Sequence, residues 1–516
     1  ERGLALALAG EGGETLAAQV GLELEQVRVE ARTAEARKVL ERENTELLAA
    51  LARVRQPWGT PDDEHDYPLE EAALGEILWR FGVAPDTDDA ETAAAKIRER
   101  GPEMAVELAA VFEEWARVRG AGNIEGAGAL LRVADLVDPD PMRVALREAI
   151  RRRDLTAILE ATDEGLAEFP TRTLALLGEA LAGQRLALEK ALEVYRTGLA
   201  RHPESYALHM GMQRVLLMLN PPLFQEALQH LEAARALRPA SPGVWAAMGD
   251  VLEELGRYEE AVPVCRTAID RGADWTWVHV NLGRSLREGQ GLQEQALECF
   301  RRAIQISPRY AKGHSDIGVS LAALGRHAEA VESYRRAIRT SPENAWVHGN
   351  LGVSLGKLGR EEEALDSMRR ALDINPDNAV VPTSLAWLLV TAQTVELRNP
   401  AEAVRLARRA TARTPRGSDH WGALGAAQYR AGEVAGAVSA LQKAGRLAKR
   451  QGRDGSPLQA LFLAMALHLD GDPEQARAWY DRACQWMEAE TPRDPDHARF
   501  RAEAAEVLGI EESDDE

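Results

Sequence analysis

Apolar residues in the stretch 242–378 recur at helical spacing in paired bursts, and the bursts themselves repeat. Asn281-Leu282-Gly283 returns as Asp316-Ile317-Gly318 and again as Asn350-Leu351-Gly352, at offsets of 35 and 34 residues. Behind each Gly come an Ala (Ala296, Ala330, Ala364), a larger apolar residue (Phe300, Tyr334, Met368), a second Ala (Ala303, Ala337, Ala371) and a Pro (Pro308, Pro342, Pro376). The period predicts two short amphipathic helices per unit, stacked in series. Gly and Ala stand where paired helices cross, so their backbones can approach, and the larger side chains fill the remaining gaps. The triplets Leu255-Gly256-Arg257, Leu324-Gly325-Arg326 and Leu358-Gly359-Arg360 place Gly just past each first helix, where a left-handed cap is cheap. Pro then stops the second helix.

The pattern extends both ways. Trp245, Met248, Gly249, Leu252, Gly256, Tyr258, Ala261, Cys265 and Ala268 carry it through 242–275, and Trp421, Leu424, Gly425, Ala437, Leu441 and Ala444 carry it after 418. Looser units fall at 171–205 and 206–241, and an insertion of five residues including Asn399-Pro400 lengthens the turn in 379–417. Residues 171–455 therefore predict an array of about eight units. A degenerate pair and a capping helix follow over 456–510, then an acidic tail at 511–516. Residues 1–56 contain one long amphipathic pattern (Leu16, Val20, Leu24, Val27, Leu40, Leu47, Leu51) that predicts an exposed helix able to self-associate through residues 14–55. Pro57-Trp58-Gly59-Thr60-Pro61-Asp62-Asp63 breaks it. Helices are expected again near 69–82, 88–99, 102–119, 126–136, 140–151 and 154–166, a smaller helical domain within 57–170. The fold class is all-α, a right-handed α-solenoid of hairpins behind that domain.

Composition narrows the partners. A formal net charge of -20 repels phosphate backbones, so nucleic acid is not an expected partner. Arg151-Arg152-Arg153 is the densest basic run and reads as a solvated helix face. Three cysteines, Cys265, Cys299 and Cys484, sit in apolar helical patterns and suit a reducing, cytoplasmic compartment. No apolar run has the roughly 20 residues of a membrane span, and Leu4 to Ala9 is too short for a signal peptide.

The repeated residues resemble the tetratricopeptide repeat, whose pattern is Trp, Leu-Gly, Tyr, Ala, Phe, Ala and Pro. The resemblance implies protein or peptide binding in a concave groove lined by the first helix of each pair. Asn281, Asp316 and Asn350 match the position at which peptide-binding members hold an extended peptide backbone. Arg284, Lys312, Trp277 and Trp346 are expected beside them as charge and aromatic area. The paired basic-and-Asn clamp for C-terminal carboxylates is not evident. Residues 77–179 (Phe81-Gly82-Val83, Glu114-Trp115-Ala116-Arg117, Asp138-Pro139-Asp140-Pro141) and the end of the chain (Ala478-Trp479-Tyr480-Asp481-Arg482-Ala483, Trp486-Met487) are similar to the non-catalytic region of large bacterial serine/threonine kinases that carry such repeats. That likeness implies a docking or regulatory role, with the kinase domain upstream of Glu1. The alternative is a stand-alone adaptor for complex assembly.

Catalytic motifs are not expected in this chain. The glycines of Gly120–Gly126 have the wrong spacing for a phosphate loop, and Arg153-Asp154-Leu155 lacks the His and Asn of a kinase catalytic loop. His279, His314 and His348 recur where the repeat family has Trp, which raises the question of a metal. Equivalent positions in neighbouring hairpins lie roughly 8–10 Å apart or more, too far to share a zinc with bonds of about 2 Å. They are expected to be packed histidines, with no metal or cofactor.

Overall fold

The computed structural model describes residues 13–54, 67–84, 89–121, 126–152, 154–163, 166, 169, 171–183, 187–453, 455–490 and 495–510. The break at Pro57–Asp63, residues 122–125 of the glycine-bearing loop, Arg153 and the tail 511–516 lie outside the described residues, as does Leu4 to Ala9. Among the described residues the chain is helical, with no strand. It forms two compact units, Glu1–Leu292 and Gln293–Glu516.

In the first unit the helix Gly13–Val54 is buried toward its C-terminal end among the described side chains. Leu47 and Leu51 pack with Leu74, Leu78, Phe112 and Trp115, while Leu22, Val27 and Val29 are exposed. Asn44 ties this end to the Arg100 carbonyl at 3.1 Å. Helices Tyr67–Arg80, Ala90–Arg98, Pro102–Ala121 and Ala127–Val137 complete that core. The next helix, Pro141–Arg152, packs Leu146 and Ala149 into the core of the following helices and is tied to the preceding ones by a charge cluster. Arg147 is fully buried and donates to Glu113 (2.9 Å), Asp135 (3.2 Å), Asp138 (2.8 Å) and the Asp138 carbonyl (3.1 Å). Arg143 also binds Asp138, at 2.6 Å. Burial pushes the Asp138 carboxyl up, but the hydrogen bonds from Arg143 and Arg147 outweigh it and hold the group below its ordinary value. The Arg151 and Arg152 face is likewise neutralised from within. Arg151 pairs with Asp135 at 3.0 Å and Arg152 with Glu148 at 2.6 Å, so Arg151 is half-buried instead of solvated.

Hairpins follow in chain order. Thr171–Gly183 pairs with Leu188–Arg201, Tyr206–Met218 with Phe224–Leu237, and Pro242–Glu254 with Tyr258–Asp270, before Thr276–Gln290 ends the unit. The second unit continues after Gln293–Ile306 with Ala311–Ala323 and His327–Thr340, Ala345–Lys357 and Glu361–Ile374, and Val381–Thr391 and Pro400–Arg413. Ser418–Arg430 with Val434–Arg450, Pro457–Leu469 with Pro473–Glu490, and the final helix Pro495–Leu508 complete it. Within this unit each first helix touches its own partner and the first helix of the next pair. The five-residue insertion becomes a short turn at Val395–Leu397, closed by Arg398 on the Ala392 carbonyl (2.8 Å) and by Asn399 capping the helix behind it (3.1 Å).

The reason for Gly at a fixed place in each first helix is visible in the distances. A Cβ on Gly318 would lie 2.5 Å from the Tyr334 ring, one on Gly352 2.6 Å from Met368, and one on Gly425 2.4 Å from Leu441. Gly249 meets Cys265 at 2.4 Å in the same way. Each pair closes because its Gly leaves room for the large residue of the partner helix. The turn between the helices is equally fixed: Gly325 and Gly359 have φ of 74° and 72°, and the following Arg N–H returns to the first helix. Arg326 N bonds Leu321 O at 2.8 Å and Arg360 N bonds Leu355 O at 3.0 Å, the closure of a Schellman turn.

Two outcomes follow for stability. Gly318→Ala should cost about 1–3 kcal/mol through overpacking against Tyr334, read by urea unfolding. Arg147→Leu should cost roughly 3–5 kcal/mol by leaving buried carboxylates without a counter-charge. Because the folded Asp138 value is depressed, that stabilisation is present above the unfolded value and lost as pH falls through the folded one. The gap between wild type and Arg147→Leu, followed by hydrogen exchange in Pro141–Arg152, should therefore narrow in acid.

Candidate functional site

The left-handed glycines give a register for the first helices. Nine residues before Gly325, Gly359, Gly432 and Gly471 stand Asp316, Asn350, Ala423 and Phe462. These residues occupy one equivalent position on four of the first helices of the second unit.

Side chains on Ala345–Lys357 show what that face presents. Trp346, Asn350, Val353 and Lys357 follow one another at helical spacing, so they share a face. Trp346 is 50% exposed and Val353 41%. Between them the Asn350 Nδ2 is buried with no hydrogen-bond partner among the described residues. A buried amide left unpaired costs about 1–3 kcal/mol, so it stands ready for an acceptor. Gly349 is buried against the next first helix, where a Cβ would come within 2.9 Å of Val381. On the preceding first helix Lys312 is exposed and Asp316 is buried.

The first unit places the other expected residues on Thr276–Gln290. Asn281 is buried and its Nδ2 donates to Asp250 at 2.8 Å, while Arg284 donates to Glu253 at 3.2 Å. These two are thus engaged with carboxylates of the preceding first helix, Pro242–Glu254. Trp277 is half-buried and stacks on Trp275 with ring centroids 5.8 Å apart. The expected residues fall into two groups, Trp277, Asn281 and Arg284 in the first unit and Lys312, Asp316, Trp346 and Asn350 in the second.

The recurrent Trp/His position has a separate, structural task that the sequence did not disclose. Trp245 Nε1 donates to Pro239 O (2.8 Å) and Trp421 Nε1 to Pro415 O (2.9 Å). His314 Nε2 reaches Pro308 O and His348 Nε2 reaches Pro342 O, each at 2.9 Å. His209 does the same to Pro203 O at 2.9 Å. A carbonyl only accepts, so each imidazole carries its proton on Nε2. Indole and imidazole are interchangeable here because both offer an N–H at the end of a flat ring. His279 has Ala273 in place of the Pro and binds Asp274 Oδ1 instead, at 2.7 Å. With Nε2 of His209 donating, its Nδ1 accepts from Nδ1 of His230, 2.9 Å away. Burial and the neighbouring His209 hold His230 below its ordinary value.

The final helix was expected as a cap; its side chains reach further, onto the same first-helix face. Phe500 is buried against Phe462 (centroids 5.5 Å), and Phe462 also meets Trp387 (5.9 Å) and Tyr429 (5.8 Å). Glu503 pairs with Arg430, the second contact at 2.8 Å, and Arg499 donates to the Thr391 carbonyl at 2.6 Å. Burial and the charge of Glu503 push the Tyr429 phenol up against the opposing pull of Arg430.

Family models described as tetratricopeptide repeat match residues 224–278, 278–310, 315–379 and 395–452. The chain carries tetratricopeptide repeats. Among solved structures it is similar to YrrB, described as a tetratricopeptide protein with an unusual peptide-binding site (21% identity, TM-score 0.32, covering 37% of this chain and 98% of that one). It is also similar to PilF of Pseudomonas aeruginosa (21%, 0.35, 44% and 97%). A third similarity is to a chain of the APC/C hetero-tetramer Cut9–Hcn1 (13%, 0.45, 85% and 93%). No curated protein matches the chain. None of the described helices is long and apolar enough to cross a membrane.

The ring-to-proline bonds of the repeats lead to a direct check. His314→Leu should lower stability by about 1 kcal/mol by removing the donor to Pro308, and His314→Trp should keep most of it. Thermal unfolding of the two variants reads the difference, and equal losses would reject the assigned bond.

Proposed function

We propose that this chain is a protein-interaction scaffold whose second unit holds an extended peptide segment of a partner along the first helices. The observation that carries the reading is the unpartnered, buried Asn350 Nδ2 flanked by the exposed Trp346 and Val353. An extended backbone supplies a carbonyl to the amide, and alternate side chains of such a strand reach the aromatic and aliphatic neighbours on either side. Lys312 and Asp316 on the preceding helix would set the register by charge. Trp277, Asn281 and Arg284 form a second candidate contact set in the first unit, where the bonds to Asp250 and Glu253 must be exchanged for those of a ligand.

The context we favour is the docking region of a larger bacterial serine/threonine kinase, supported by the likeness of residues 77–179 and of the chain's end to such proteins. A stand-alone cytoplasmic adaptor, self-associated through residues 14–55, is the competing context; exposed Leu22, Val27 and Val29 favour it. The open reading frame preceding Glu1 distinguishes the two.

The binding reading is tested with a displayed peptide library on the full chain. Peptides enriched by the wild type should lose at least ten-fold in affinity for Trp346→Ala combined with Asn350→Ala, with thermal unfolding unchanged, because both side chains are off the packed face. Full retention of binding by that folded double variant would reject the site.

A further inference from the structure

We infer that the face formed by Phe462, Tyr429 and Arg430 is a recognition site for an amphipathic helix, which the chain's own Pro495–Leu508 occupies in cis and a partner helix of the same pattern displaces. The pattern is an aromatic residue, a carboxylate three positions later and small residues directly after it, as in Phe500, Glu503, Ala504 and Ala505. This inference is independent of the peptide reading at Trp346 and Asn350.

Position comes first. Phe462 stands at the register place that Asp316 and Asn350 hold in earlier repeats, so the helix bearing Phe500 packs on the equivalent position of the last first helix. It also reaches back beyond the last pair. Glu503 meets Arg430 and Arg499 meets the Thr391 carbonyl, at the C-terminal ends of two preceding first helices. A helix that merely continued the stack would rest on the last hairpin alone.

Its chemistry is that of an interface. Pro495–Leu508 buries Phe500, Ala504 and Ala505, whereas Pro457–Leu469 buries an unbroken run from Ala460 to Leu467. The remaining hold combines partly buried Val507 and Leu508 with polar contacts: the Arg430–Glu503 pair, an Arg501–Glu488 pair at 3.8 Å and the Arg499 bond to the Thr391 carbonyl. An aromatic anchor next to an arginine pair is the composition of a binding hot spot, and a helix attached through so few buried side chains belongs to the low-stability end of a fold. Arg430 is already arranged for the task. Its guanidinium lies 5.4 Å from the Phe462 ring centre and 5.9 Å from that of Tyr429, and its Nε donates to the Val390 carbonyl at 3.3 Å. Once the cis helix leaves, a cation held between two rings remains for an incoming carboxylate.

The probe is a fluorescent peptide copying residues 495–510, added to the full chain. Phe500→Ala with Glu503→Arg in the chain releases the cis helix. That variant should bind the peptide at least ten-fold more tightly than the wild type does, and a peptide carrying Phe500→Ala should fail. Hydrogen exchange of the wild type should show Pro495–Leu508 opening at least ten-fold faster than Pro457–Leu469. A folded variant that ignores the peptide overturns the inference. So does a variant in which Pro457–Leu469 unfolds, or a wild type in which both helices exchange together, since the final helix would then be part of the core.

Discussion

Everything in the repeat region depends on two helices being allowed to touch at a glycine. Where Gly318, Gly352 and Gly425 face Tyr334, Met368 and Leu441, a single methyl group would intrude to between 2.4 and 2.6 Å of the opposing side chain. The near contact fixes the depth of each hairpin, the Schellman turn fixes its return, and the ring-to-proline bond fixes where the next first helix begins. With these three constraints repeated, the first helices of the second unit line up side by side, and on Ala311–Ala323 and Ala345–Lys357 the same face carries exposed Lys312, Trp346 and Val353. Binding is then a property of the row, and no single pocket has to be shaped for it.

That architecture separates scaffold from site. The residues of the packed face are small or apolar and interlock, so changes there alter stability. Trp346, Asn350, Val353 and Lys357 face the other way, and nothing in the hairpin needs them. An exposed Trp and an unpaired buried amide on a stable helix are costs that a bound segment would recover. In the first unit the same positions already pair with Asp250 and Glu253. Equivalent residues thus differ in readiness because their neighbours differ.

Much of this was legible in the sequence because packing repeats and the repeat is audible in Gly, Ala and Pro. The helices, their turns and the insertion near Asn399 all follow from local rules. Contacts between distant segments did not. Arg147 lies in an ordinary polar pattern, and only the fold brings Glu113 and Asp138 around it. The histidines were expected to be packed, but nothing in the pattern pointed to the carbonyls of Pro308 and Pro342 as their acceptors. Phe462 could have been placed by counting back from Gly471, but its meeting with Phe500 joins segments that no period relates. The tasks of Asn281 and Arg284 were obscured for the same reason, since their acceptors lie on the preceding first helix.

The central claim is that partners lie along the first helices and leave the second helices uncovered. It is tested most directly by photo-crosslinking: a light-activated phenylalanine derivative at position 346, compared with one at the half-exposed position 335 of a second helix, in the presence of a library-selected peptide. Cross-links from 346 with none from 335 are predicted. Cross-links from 335 and none from 346 would contradict the account.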